Sequence, residues 1–119
     1  MNWFKLESID QLRMIREKSK ESPVIIFKHS TTCSISRTAL DRLERNWKDE
    51  EMSDVKPFYL DLLKHRDISR EVATEFSVEH QSPQVLVIEN GQAVYDRSHF
   101  DINYPDLLGA TKKKVATKN

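Results

Sequence analysis

The chain contains a single cysteine, Cys33, set among small polar residues: Thr31, Thr32, Ser34 and Ser36. A lone cysteine is often a small buried hydrophobe, but these neighbours suit a partly exposed helix start better than an apolar core. After a polar turn over 29–32, Ile35, Ala39, Leu43 and Trp47 recur at the helical period with charged residues between them, so a helix begins close to Cys33. A sulfur there meets unpaired backbone N–H groups and the positive end of the helix dipole, both of which favour the nucleophilic thiolate. Lys28, His29 and Arg37 add positive charge nearby in sequence, and each reads as a solvated side chain rather than a tuned partner. One cysteine cannot close an internal disulfide, so any disulfide it forms is with another molecule.

Other chemistries find less support. His29, His65, His80 and His99 show no paired spacing such as H-x3-H or C-x2-C, so no metal site is expected. Nineteen basic residues balance nineteen acidic ones, which leaves no general attraction to nucleic acid or to anionic lipid. Lys112, Lys113, Lys114 and Lys118 lack interleaved aromatics and read as a solvated tail. Trp3, Phe4, Trp47 and Phe58 read as packing residues. The longest apolar runs fall far short of the ~20 residues that cross a bilayer, and residues 1–6 do not resemble a secretory signal. The expectation is a cytoplasmic protein in a reducing compartment, with no nucleic-acid or membrane partner, present as a monomer or weak dimer.

The elements that must position Cys33 follow from periodicity and punctuation. Ser8 with Gln11 three residues later has the capping-box pattern, and Ile9, Leu12 and Ile15 mark a helix to about Lys20. Pro23 ends it, and the run Val24–Phe27 reads as buried on both faces, making Val24–Lys28 a central strand. After the Cys33 helix and an acidic loop over 49–54, Val55–Leu60 is a second strand, parallel to the first by right-handed crossover. Ile68, Val72 and Phe76 mark a third helix, with Asp67 as its cap. Gln84–Ile88 and Ala93–Tyr95 flank Asn90-Gly91, a strong hairpin signal, because both residues tolerate positive φ. Asn103 and Pro105 open a last short helix over Tyr104–Leu108, and 111–119 is expected to fray. With no repeats, no linker and 119 residues, the chain is expected to be one α/β domain with a mixed four-stranded sheet flanked by helices.

The arrangement strand, Thr32-Cys33-Ser34-Ile35-Ser36, helix resembles the active-site turn of the thioredoxin superfamily, as a C-x-x-S motif. That resemblance implies monothiol chemistry, since Ser36 stands where dithiol relatives carry a resolving cysteine. It also implies a cis peptide bond at Ser82-Pro83, beside the active-site turn. More closely, residues Phe27 to Ser36, then Ser82-Pro83-Gln84, then Ser98-His99 resemble the bacilliredoxin-like family of the bacillithiol system, the YtxJ type, over nearly the whole chain. Members commonly carry proline directly after the cysteine, where this chain has Ser34.

The resemblance implies removal of bacillithiol from S-thiolated client proteins by Cys33, with no bound cofactor and with the low-molecular-weight thiol and its clients as partners. Thr32, Ser34, Ser36, Ser82 and Pro83 are then expected to wall the thiol site. His99 falls on the same side of the sheet because the hairpin's second strand returns there, and it serves either the thiol surface or a helix cap. Iron–sulfur chemistry of the monothiol glutaredoxin kind is a minor reading, because Ser34 and Ile35 replace the glycine and phenylalanine of that turn. The alternative from another class is a thioredoxin-fold adaptor module in which Cys33 is inert.

Overall fold

The computed structural model describes residues 1–117, with side chains described through Lys112. Strand β1 (Phe4–Lys5) precedes helix α1 (Asp10–Lys18), strand β2 (Val24–His29), helix α2 (Ser34–Asn46) and strand β3 (Lys56–Asp61). Helix α3 (Arg66–Phe76), strands β4 (Gln84–Glu89) and β5 (Gln92–Ser98), a single 3-10 turn (His99–Asp101) and helix α4 (Tyr104–Thr117) complete the chain. The sheet order is β1-β3-β2-β4-β5, with β1, β3 and β2 parallel and β4 and β5 antiparallel to their neighbours.

Side chains of the two inner strands alternate between two cores, as the period of two requires. Ile25, Phe27, Val85 and Val87 pack with Ala39, Leu40 and Leu43 of α2 and Leu107 of α4. Val24, Ile26, Leu86 and Ile88 face the opposite way, onto Leu12 and Ile15 of α1 and Ile68, Val72 and Phe76 of α3. Covering a sheet on both faces explains why β2 and β4 read as continuous apolar runs rather than alternating ones.

The sheet has five strands, not the expected four. β1 pairs through only Phe4↔Phe58 and Lys5↔Tyr59, and two residues are too few to show an alternating pattern. The capping box at α1 forms by half: Gln11 Oε1 accepts the Ser8 N–H at 2.9 Å, while Ile9 occupies the cap position without a side-chain bond. Asp67 lies in the first turn of α3, whose cap residue is His65. The hairpin turn has φ of 52° at Asn90 and 74° at Gly91, the left-handed pair the sequence signals. Asn103 caps α4, its Oδ1 accepting the Asp106 N–H at 2.9 Å.

α4 does not stop at Leu108. Thr111 is buried and its Oγ1 donates to the Leu108 carbonyl at 2.8 Å, so the part of the expected frayed tail within 111–117 continues the helix. Residues 118 and 119, Lys118 of the expected basic tail among them, lie outside the described residues. Among the described residues no helix is long and apolar enough to cross a membrane.

Candidate functional site

Cys33 sits where β2 hands over to α2. It is the cap residue of α2, with extended backbone (φ −104°, ψ 122°), and its carbonyl accepts the first helical bond from the Arg37 N–H at 3.1 Å. No side-chain hydrogen bond caps the helix, so the first-turn amides that follow Cys33 lack intrahelical partners. The thiol is partly exposed, between exposed Thr32 and Ser34. A nucleophile needs this access, and the oriented amides stabilise negative charge placed there.

The turn is tied from below. Ser36 is fully buried: its Oγ accepts the Ser30 N–H at 3.0 Å and lies 2.6 Å from His29 Nδ1. The Ser36 hydroxyl therefore ties the Ser30 amide to the His29 ring inside the protein. Burial lowers the His29 pKa, helped by the Arg37 guanidinium and opposed by Asp61, Asp41 and Glu44, and this favours the neutral form. The Cys33 N–H donates to the Ser30 carbonyl at 3.2 Å, closing the loop that Ser36 anchors.

Two sequence expectations are corrected here. Ser36 is not a wall of the thiol site, because its hydroxyl points inward and is fully used. Lys28 and His29 are not solvated: both are buried, because β2 is the middle strand of the sheet. The signal was present, since the two residues continue the apolar run of β2 without a break, but their charge masked it.

Ser36→Ala is expected to destabilise the fold by roughly 1–3 kcal/mol, since it strands the Ser30 N–H and His29 Nδ1 inside the protein. Urea unfolding at neutral pH measures this, and a change within error would remove Ser36 from the role of anchor. His29 adds a pH signature of defined sign. Its lowered pKa means that the stability of the neutral form is complete above the ordinary value of 6.5 and is lost as pH falls below it.

The other predicted residues gather at the same end of the sheet. The Ser82-Pro83 bond is cis. β4 pairs with β2 through Lys28↔Gln84, so Pro83 stands one step beyond, level with His29. The Pro83 carbonyl accepts the His99 N–H at 3.1 Å, and His99, with φ of 56°, presents an exposed side chain at the end of β5. Thr32, Cys33, Ser34, Ser82, Pro83 and His99 therefore lie toward the same end of the sheet, while the Ser36 side chain is buried beneath the turn.

Two clefts open at this end of the sheet. The larger, about 410 Å³, is lined by Trp3, Tyr59 and Lys64 together with the carboxylates Glu7 and Asp61. The smaller, about 130 Å³, lies between Leu62, the start of α3 and His80.

Comparison with known proteins agrees with this geometry. The family model described as monothiol bacilliredoxin BrxC matches residues 4–107. A solved thioredoxin-fold protein with a suggested oxidoreductase role is 37% identical, with a TM-score of 0.75 over 90% of this chain and 91% of the other. Thioredoxin from Malassezia sympodialis superposes with a TM-score of 0.71 at 17% identity, covering 94% of this chain and 90% of its own. Thioredoxin from Trypanosoma brucei brucei gives 0.70 at 17% identity, covering 97% and 92%. These two share the fold.

Proposed function

The chain belongs to the monothiol bacilliredoxin BrxC family of thioredoxin-fold proteins, and from that premise we propose that it removes bacillithiol from S-bacillithiolated proteins through Cys33. The observation that carries this reading is the placement of the partly exposed Cys33 sulfur at the uncapped start of α2, with cis-Pro83 at the same end of the sheet.

In the exchange, the Cys33 thiolate attacks the bacillithiol sulfur of the mixed disulfide. A new bond joins Cys33 to bacillithiol as the old disulfide breaks, and the client leaves as a thiolate that takes a proton from solvent. No net oxidation occurs. Ser36 cannot resolve the adduct, because a hydroxyl forms no disulfide, so a second low-molecular-weight thiol or a reductase must attack Cys33 to regenerate it. The first-turn amides of α2 serve the attacking thiolate and, in the return step, the leaving one. Such chemistry fits a reducing cytoplasm, with the client, the small thiol and the regenerating thiol or reductase as its partners.

The test is transfer of mass. Reduced protein incubated with a bacillithiolated client should gain the bacillithiol mass, faster than it gains glutathione from a glutathionylated client, as followed by intact mass spectrometry. Absence of transfer from either client would sink this reading and leave the adaptor module in its place.

A further inference from the structure

Behind the cysteine turn lies a group of charged side chains that the exchange step does not use. Lys28 is fully buried on the α3 side of β2, the side that Val24 and Ile26 share. Its Nζ lies 3.3 Å from His80 Nδ1, and Ser69 Oγ lies 3.4 Å from the same nitrogen. No carboxylate pairs with Lys28 among the described residues. Burial brings the Lys28 pKa down to about 8, which leaves it charged at neutral pH. Burial and then the Lys28 charge lower that of His80, so the imidazole is neutral. Its Nδ1 accepts from the ammonium and its Nε2–H remains a donor.

Ser69 and His80 line the 130 Å³ cleft together with Leu62, Arg66 and Arg70. Its polar lining consists of guanidinium, hydroxyl and imidazole groups with no carboxylate, and the Lys28 ammonium stands behind His80. Such a set recognises an oxyanion, because arginine offers a planar fork of donors to a carboxylate. The volume suits a single carboxylate group. The larger cleft is less suited, since Glu7 and Asp61 there offset Lys5 and Lys64, whereas the charged side chains lining the small cleft are all cationic.

The small cleft also opens at the end of the sheet that carries Cys33. Leu62 donates its N–H to the His29 carbonyl at 3.0 Å, at the end of the strand that leads into the cysteine turn. His80 belongs to the segment that ends at cis-Pro83. The Gln84 side chain braces this segment, accepting the Gln81 N–H at 3.4 Å and donating to the Glu79 carbonyl at 3.0 Å. We propose that the cleft of Arg66, Ser69, Arg70 and His80, backed by Lys28, is a subsite that holds a carboxylate of the small thiol while its sulfur meets Cys33. The subsite rests on the exchange reading above and deepens it.

The test compares one client protein carrying either glutathione, which has two carboxylates, or 2-mercaptoethanol, which has none. The readout is the ratio of kcat/KM for the two mixed disulfides, which a general loss of folding or reactivity leaves unchanged. Wild type should favour the glutathione adduct, and the double substitution Arg66→Gln/Arg70→Gln should lower the ratio about tenfold. Inorganic phosphate should compete with the glutathione adduct alone. A ratio near one in wild type, or one that survives the double substitution, overturns the subsite. Phosphate that binds at the arginines without slowing exchange of the glutathione adduct also overturns it, by marking a site for free anions only. Wild type that attacks neither disulfide refutes the exchange reading itself, which separates the two failures.

Discussion

Cys33→Ser is expected to abolish exchange while leaving the protein at least as stable as wild type. Loss of the nucleophile should lower the rate of client dethiolation by about 10⁴-fold or more, to the background of uncatalysed exchange, since removal of a catalytic nucleophile has effects of this size. Stability should move in the other direction. Cys33 is the cap residue of α2 in extended conformation, and its side chain makes no capping bond. Serine is among the preferred residues at such a position, and its hydroxyl can accept a first-turn N–H, with a gain of up to about 1 kcal/mol. Cys33→Ala should be as inactive and close to wild type in stability. Intact mass reads adduct transfer and urea unfolding reads stability on the same samples. Client dethiolation by Cys33→Ser at the wild-type rate would exclude Cys33 as the nucleophile, since the chain has no other thiol to take up the adduct.

Lys28→Met should raise stability at neutral pH by roughly 1–3 kcal/mol. The lysine pKa falls from 10.5 to about 8 because burial penalises the ammonium, and that fall corresponds to at most about 3 kcal/mol opposing the fold. Methionine fills a similar volume without charge, and its stem continues the apolar packing that Val24 and Ile26 make on the same face. The sign of the pH dependence follows from proton binding. Between about pH 8 and 10.5 the unfolded chain holds the Lys28 proton and the folded protein has lost it, so wild-type stability from this group rises with pH across that window. The advantage of Lys28→Met should therefore be constant below pH 8 and shrink above it. Chemical denaturation of both proteins from pH 7 to 10 checks this, and a variant less stable than wild type at pH 7 would show that the buried amine is net stabilising. An amine that costs stability where it stands is consistent with use in binding: the same variant should lose part of the preference for carboxylate-bearing thiols.

Local chemistry was enough to read much of this protein from its residues. Apolar periodicity separated Ile35, Ala39 and Leu43 as a helix from Val24–Phe27 as a doubly covered strand, Asn90-Gly91 marked the hairpin, and the polar stretch around Cys33 placed a thiol at a helix start. These features depend on neighbours a few residues apart, so sequence alone determined the alternating α/β order, the central strands and the candidate nucleophile.

Tertiary structure decided the rest. β1 exists only because Phe4 and Lys5 meet the free edge of β3, and two residues carry no signal of their own. Ser36 looked like a wall of the site by its motif position, yet helix phase turns it inward onto His29 and Ser30. Lys28 meets His80 across a separation of 52 residues, and Arg66, Ser69 and Arg70 join them only when α3 packs beside β2. Which polar groups are buried, and against which partners, depends on how distant segments pack, and desolvation by that packing gives Lys28 and His29 their properties.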